Sequence, residues 1–277
     1  MNTDRMQNKT KRRLSFLFAL LLVSSALTSP LIIHDAKADS GSSPIEVSAR
    51  PSGTGIDKTP APAAANGQKI SRNGNRDLSN ASERLSYQVY VTPDDPTIQG
   101  LAAQINSPAE AYALATQWIY VLDQSLLGEA EKWLTPAEFL TETASYPGNP
   151  VSGQAVSDCE EQAHALASLI RALDISPEEI RIVLGIVEFG EVKVGHAWVE
   201  LFADRQWLAL DPSSGPYWDD QTGNVISRQG LPFDYYASRD FPVVQSWVYY
   251  NDVYYVNFLD GSGNAPDAWY PDNSAGW

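Results

Sequence analysis

Among the 277 residues there is one thiol, Cys159, and there are three imidazoles, His34, His164 and His196. A cysteine nucleophile needs a base within reach and a third group to orient that base. Ser157-Asp158-Cys159-Glu160 has the S/T-x-x-E form of a capping box, so the spacing predicts a helix with Ser157 as N-cap and Cys159 two residues further in. There the unsatisfied N–H groups and the positive end of the helix dipole favour a thiolate. Cys159, Ala163, Leu166, Ala167, Ile170 and Leu173 share one stripe, so the thiol lies where the apolar face meets other elements. The competing reading is an inert core cysteine.

Three histidines reduce to one. His34 falls in a segment read below as an export signal. His164 follows Cys159 by five residues, roughly 140° around the same helix. Its neighbours Glu160, Glu161, Ser168 and Arg171 place it on a solvent face. His196 lies in Val194-Gly195-His196-Ala197-Trp198-Val199-Glu200, a strand pattern. If Asp204-Arg205 turns a hairpin, Trp198 faces Asp211 and His196 is diagonal to it, about 7–8 Å away at the backbone. Asp211 can then hold the imidazole tautomer; Glu200 shares the face but lies further along the strand. Asp211-Pro212 also reads as a strand-ending turn, and both readings can hold together.

Two kinds of element must position these groups. Ser107-Pro108-Ala109-Glu110 and Thr135-Pro136-Ala137-Glu138 repeat the capping signature with Pro at the first helical position, predicting helices over 108–124, 136–144 and, with Ser157, 158–173. After Pro177 the period changes. Segments 180–188, 192–202 and 206–210 read as an antiparallel meander, and 247–250 with 253–258 as a hairpin turning at Asn251-Asp252. Helices first and strands afterwards argue for an α+β fold with segregated layers.

Lys9, Lys11, Arg12 and Arg13, the apolar run Leu14–Leu27 and Ala36-Lys37-Ala38 form the three parts of a secretory signal over residues 1–38. An uncleaved anchor is the alternative, weakened by Ser24, Ser25, Ser29 and Pro30. The expected location is secreted or periplasmic, with no stable membrane association after cleavage. Residues 39–84 read as a Ser/Gly/Pro-rich disordered linker, 85–262 as the catalytic domain and 263–277 as an irregular tail. The net charge is −15; removing 1–38 takes away six Lys/Arg and two Asp, leaving 13 basic against 32 acidic residues and a charge of −19. So acidic a chain repels phosphate backbones, which argues against nucleic acid as a partner. One Cys supplies neither a disulfide framework nor a Cys-rich metal site. Outside the cytosol an unpaired cysteine stands out.

Asp158-Cys159-Glu160-Glu161-Gln162-Ala163, Gly195-His196-Ala197-Trp198-Val199-Glu200 and Leu210-Asp211-Pro212, in this order and spacing, resemble the transglutaminase-like superfamily of papain-related cysteine enzymes. The segments 133–138 and 169–173 are similar to that domain's core, and the resemblance covers roughly residues 98–215. It implies a papain-like α+β core carrying a Cys159-His196-Asp211 triad. Cys159 would attack a carbonyl carbon of a protein or peptide substrate, His196 would move the proton, and Asp211 would orient His196. The acyl-thioester would pass to water, which makes a peptidase or amidase, or to an amine, which makes a crosslinking transglutaminase. The Cys159 N–H is the implied oxyanion donor, with Gln154 and Trp133 as candidates for a second. Ser157 stands where many relatives have Gly.

No cofactor is expected. One exported protease branch of the superfamily holds calcium with carboxylates beside the cysteine, and Asp158 and Glu160 match those positions, though calcium-independent relatives share the pair. A non-catalytic peptide- or carbohydrate-binding module is the competing class. It is motivated by an aromatic-rich C-terminal region that includes Tyr217, Trp218, Tyr235, Tyr236, Trp247 and Tyr249.

Overall fold

The computed structural model describes residues 86–270. The export signal, the linker over 39–84 and the last residues of the tail lie outside the described residues.

Asp95 caps α1 (Pro96–Ala102) and Ser107 caps α2 (Pro108–Ala115), each with Pro at the start. The second helix is shorter than the 108–124 expected from its spacing. The chain leaves it at Thr116, and Ile119–Tyr120 becomes β1. A β-branched residue pairs there with a parallel neighbour, Ile119 against Val156, so tertiary pairing overrides helical period. The single-turn α3 (Asp123–Leu126) follows. In α4 (Pro136–Thr141) both halves of the capping box form, with Thr135 receiving the Glu138 N–H and the Glu138 carboxylate receiving the Thr135 N–H.

At the helix carrying the cysteine the sequence expectation needs correction. Ser157 belongs to β2 (Val156–Ser157), and its carbonyl accepts from Val121 N–H at 2.9 Å. The N-cap of α5 (Cys159–Arg171) is therefore Asp158, without a side-chain cap bond, and Cys159 is the first helical residue. Strand pairing has claimed the serine that could have capped.

The meander is β3 (Ile180–Phe189), β4 (Val192–Ala203) and β5 (Gln206–Leu210). With β8 (Val243–Tyr250) and β9 (Tyr255–Asn257) it forms an antiparallel sheet in the order β5-β4-β3-β8-β9. The short strands β6 (Tyr217–Asp219) and β7 (Asn224–Ile226) extend β1 and β2 into a second sheet, β2-β1-β6-β7. At Gly185 of β3 the backbone of β8 leaves no room for a side chain: a Cβ there would meet Gln245 O at 2.2 Å.

Alternation along β3 sorts the two faces of the large sheet. Ile180, Ile182 and Leu184 join Ala197, Val199 and Leu201 against Leu166, Leu169 and Ile170 of α5. Val183, Val187, Trp198, Tyr249 and Trp269 build a second core on the opposite face. Helices segregated to one face of an antiparallel sheet make the α+β fold that the sequence implied. Within the tail, a 3-10 turn over Asp267–Trp269 delivers Trp269 into that second core, fully buried. Tyr249, Tyr250 and Tyr255 are also buried, so much of the C-terminal aromatic content is packing.

Candidate active site

The register of β4 and β5 fixes two of the three candidate residues. Asp204 and Arg205 both have positive φ, 50° and 67°, as a tight two-residue hairpin turn requires. Ala203 then faces Gln206 and Val199 faces Leu210, as the sequence spacing predicted. Pro212 ends β5, and Asp211 becomes the cap of a 3-10 turn over Pro212–Ser214. His196 Nε2 lies 3.2 Å from Asp211 Oδ2 with both side chains buried. The contact is one of charge proximity; the ring N–H is not aimed along a hydrogen-bond line. Asp211 is itself oriented: its Oδ1 accepts from Ser213 N at 3.0 Å and Ser213 Oγ at 2.7 Å, and its carbonyl accepts from Tyr112 Oη at 3.1 Å.

His196 is walled by rings. Phe189 stands edge-on at 6.0 Å, while Trp198 and Phe241 stack at 6.2 and 6.5 Å. Water is thereby kept from the His196–Asp211 pair, which strengthens their electrostatic coupling.

Cys159 is only 6% exposed. The Ala197 backbone N–H, one residue past His196, bonds towards its sulfur and favours the thiolate. The thiol itself donates to Glu160 Oε2 at 3.0 Å, not to His196. Burial is the largest influence on this thiol and pushes its pKa well above the ordinary range; the Glu160 and Asp158 charges act in the same direction. The lowering expected from a helix start is therefore outweighed. The thiol thus rests on a carboxylate in surroundings that disfavour its thiolate.

His164 also departs from expectation. It is fully buried rather than solvent-facing, because α5 is covered on every side. Its ring stacks on Tyr90 at 5.0 Å, meets the edge of Trp133 at 5.2 Å, and bonds Tyr250 Oη at 2.7 Å through Nε2. Desolvation lowers its pKa to about 3, so it is neutral and structural. Trp133 Nε1 donates to Glu131 Oε1, and Gln154 is exposed. Glu200, the lower-ranked orienting group, is bound to Arg181 and to Trp198 Nε1 instead.

A group unseen in the sequence adjoins the thiol. Asp123, Asp158 and Glu161 are buried with one carboxylate oxygen each within 4.8 Å of the others, and Asp158-Cys159-Glu160 forms an overlapping set. Asp123 Oδ1, Asp158 Oδ1 and Glu161 Oε2 have no hydrogen-bond partner. Desolvation is the largest influence on all three: it raises Asp123 to about 6, with the Glu131 and Glu129 charges adding to it, and holds Asp158, facing Glu160, and Glu161, facing Asp158, well above their ordinary values. Glu160, desolvated and facing Glu131, is raised to about 7. Sequence spacing could reveal Asp158 and Glu160. It could not reveal Asp123, which arrives from another element.

Residues 129–212 match the family model of the transglutaminase-like superfamily. All three motifs that carry the resemblance fall inside this match. No curated protein matches the chain in sequence. Among solved structures, a proposed cysteine protease from Cytophaga hutchinsonii is similar at 16% identity and a TM-score of 0.33, covering 56% of this chain and 49% of its own. This chain thus spans about half the length of that protein. Calcium-bound LapG from Legionella pneumophila is similar at 13% identity and a TM-score of 0.36, covering 70% of this chain and 85% of its own. The EGTA-treated form of LapG gives 12% and 0.36, covering 71% and 86%.

Proposed function

We propose that the chain is an exported cysteine hydrolase, a peptidase or amidase, working through Cys159, His196 and Asp211. The observation that carries this reading is the buried His196–Asp211 pair at 3.2 Å, on the strand whose Ala197 N–H meets the Cys159 sulfur. His196 Nε2 is turned to the carboxylate, which leaves Nδ1 as the nitrogen that takes the thiol proton. The thiolate attacks a substrate carbonyl, and the Cys159 N–H at the helix start stabilises the oxyanion. His196 then protonates the leaving amine, and water hydrolyses the thioester. The Glu160 hydrogen bond defines a resting state that must open before His196 can act.

The test is alkylation by iodoacetamide followed by peptide-library digestion with and without added amine. Modification of Cys159 that is lost in His196→Ala, with peptide fragments released, supports the hydrolase. Amine incorporation in place of cleavage identifies a transglutaminase instead. An unreactive Cys159, or full activity in Cys159→Ala, removes the mechanism.

A calcium ion is the second reading, and the three orphaned oxygens of Asp123, Asp158 and Glu161 favour it. Bound there, a divalent cation supplies the charge that these carboxylates lack and competes with the thiol for the acidic surroundings. Rising thermal stability on calcium titration, absent in Asp158→Asn, supports it; an unchanged melting temperature rejects it. Export rests on the basic and apolar pattern over 1–38, and N-terminal sequencing of secreted protein after residue 38 is the check.

A further inference from the structure

The strand that carries His196 is longer than its partner. β5 stops at Leu210 opposite Val199, so no strand among the described residues pairs the outer edge of β4 from Val192 to Trp198. Alternation decides which backbone groups face that edge. Phe202 N–H reaches back to Glu179 O at 2.7 Å, so even-numbered residues of β4 point towards β3. Glu188 of β3 gives its N–H to Pro242 O, away from β4, so its partner Lys193 is not hydrogen-bonded to it across the pair. Ala197 N–H meets the Cys159 sulfur, outward. Lys193, Gly195 and Ala197 therefore present their N–H and C=O groups in one row, which runs along the open edge and ends at the thiol. Lys193 and Gly195 are both exposed. Gly195 adds no side chain to the row; a Cβ there would find only the Trp247 ring at 3.9 Å.

We infer that the open edge of β4 at Lys193 and Gly195 receives the main chain of an extended polypeptide substrate by strand addition, feeding its scissile carbonyl to Cys159. This rests on the hydrolase reading and names its substrate class: unfolded or locally extended protein, recognised through backbone amides, not a compact small amide. Each outward N–H and C=O finds a partner in the added strand, and substrate side chains on the α5 side lie against Trp247. A net charge of −15 favours segments carrying Lys or Arg. The Lys193 side chain is held back by Glu188 at 3.4 Å, which keeps its charge on the neighbouring strand.

Amide hydrogen exchange by NMR on the full-length Cys159→Ala protein tests this without turnover. The probe is a blocked decapeptide of alternating Ala and Lys, beside the same peptide with every second amide N-methylated. The first should slow exchange at Lys193 and Gly195 by about tenfold or more, whereas the N-methylated peptide should not. Val194, bonded to β3, should remain slow throughout and so report an intact sheet. Equal protection by both peptides overturns the inference, as does no protection at saturating peptide. His196-dependent alkylation of Cys159 is scored separately in the wild-type protein. Its failure sinks the hydrolase reading, whereas its success without edge protection sinks only the strand addition.

Discussion

Two places among the described residues take carboxylates out of water and treat them oppositely. On the face of the large sheet away from α5, Glu200 meets Arg181 at 2.7 Å and also accepts from Trp198 Nε1 at 3.2 Å. The guanidinium is sandwiched over Trp207 and Tyr249 at 3.8 and 4.0 Å and donates to Trp269 O. Near the start of α5, Asp123, Asp158 and Glu161 crowd together with unpartnered oxygens and raised pKa values. The first arrangement is closed: desolvated charge is met by charge and hydrogen bonds. The second is open: desolvated charge is met by more of the same sign. The proposed active site lies at the second place, where strongly perturbed carboxylates sit beside the thiol.

The contrast can be broken most sharply at the reacting groups. Cys159→Ala or His196→Ala should lower peptide hydrolysis by on the order of a thousandfold or more, while urea unfolding shows the protein still folded. Next comes Arg181→Met, which strands Glu200 in the core and should cost about 3–5 kcal/mol in urea denaturation. A loss under 1 kcal/mol there would show that the pair is not closed in the sense argued.

Glu161→Gln should act in the other direction. Its Oε1 can still accept from Leu134 N–H, while the repulsion with Asp158 disappears. Because the folded-state pKa values of this group are raised, the stability they contribute is present below about pH 4. It is lost as pH rises through about 6 for Asp123 and about 7 for Glu160. Without divalent cations, the melting temperature of the wild type should therefore fall across that window, and Glu161→Gln should flatten the fall by a few degrees. The smallest effect is expected from His164→Phe. A pKa lowered to about 3 means that stability is lost as pH falls from about 6.5 towards 3, so this variant should lose less melting temperature on acidification. Circular dichroism melts over pH 4–8 separate the two opposing trends.

How much of this was legible beforehand varies from element to element. The β4–β5 register was fully legible, because a two-residue turn at Asp204-Arg205 leaves one pairing and the apolar alternation agrees with it. The antiparallel meander followed from strand composition and turn signals, and the cysteine-bearing helix from its capping spacing and apolar stripe. The second sheet was not legible: strands of two or three residues carry no period, and their pairing joins segments as distant as Tyr120 and Tyr217. His164 was misplaced because the charged and polar residues around it imply a solvent face. Burial of Glu161 and Ser168 beside it comes from tertiary cover that helical spacing does not reveal. Ser157 was a sound cap by local rules and lost that role to strand pairing. Ser213, which fixes the Asp211 carboxylate, was within reach: Asp-Pro-Ser is itself a capping signature.

The tight turn at Asp204 and Arg205 has one more consequence, for the kinds of sequence change that the chain tolerates. Because side chains in a strand alternate, adding or deleting one residue between Ala203 and Gln206 would carry Asp211 to the other face, away from His196. The same shift would turn Leu208 and Leu210 out of the core that β5 shares with α5, and Trp207 and Ala209 out of the one on the other face. Hairpin length therefore sets the packing of β5 and the place of the carboxylate together. Single-residue insertions that shift the register should lower the melting temperature and part His196 from its partner in one stroke, whereas a compensating two-residue change should restore both.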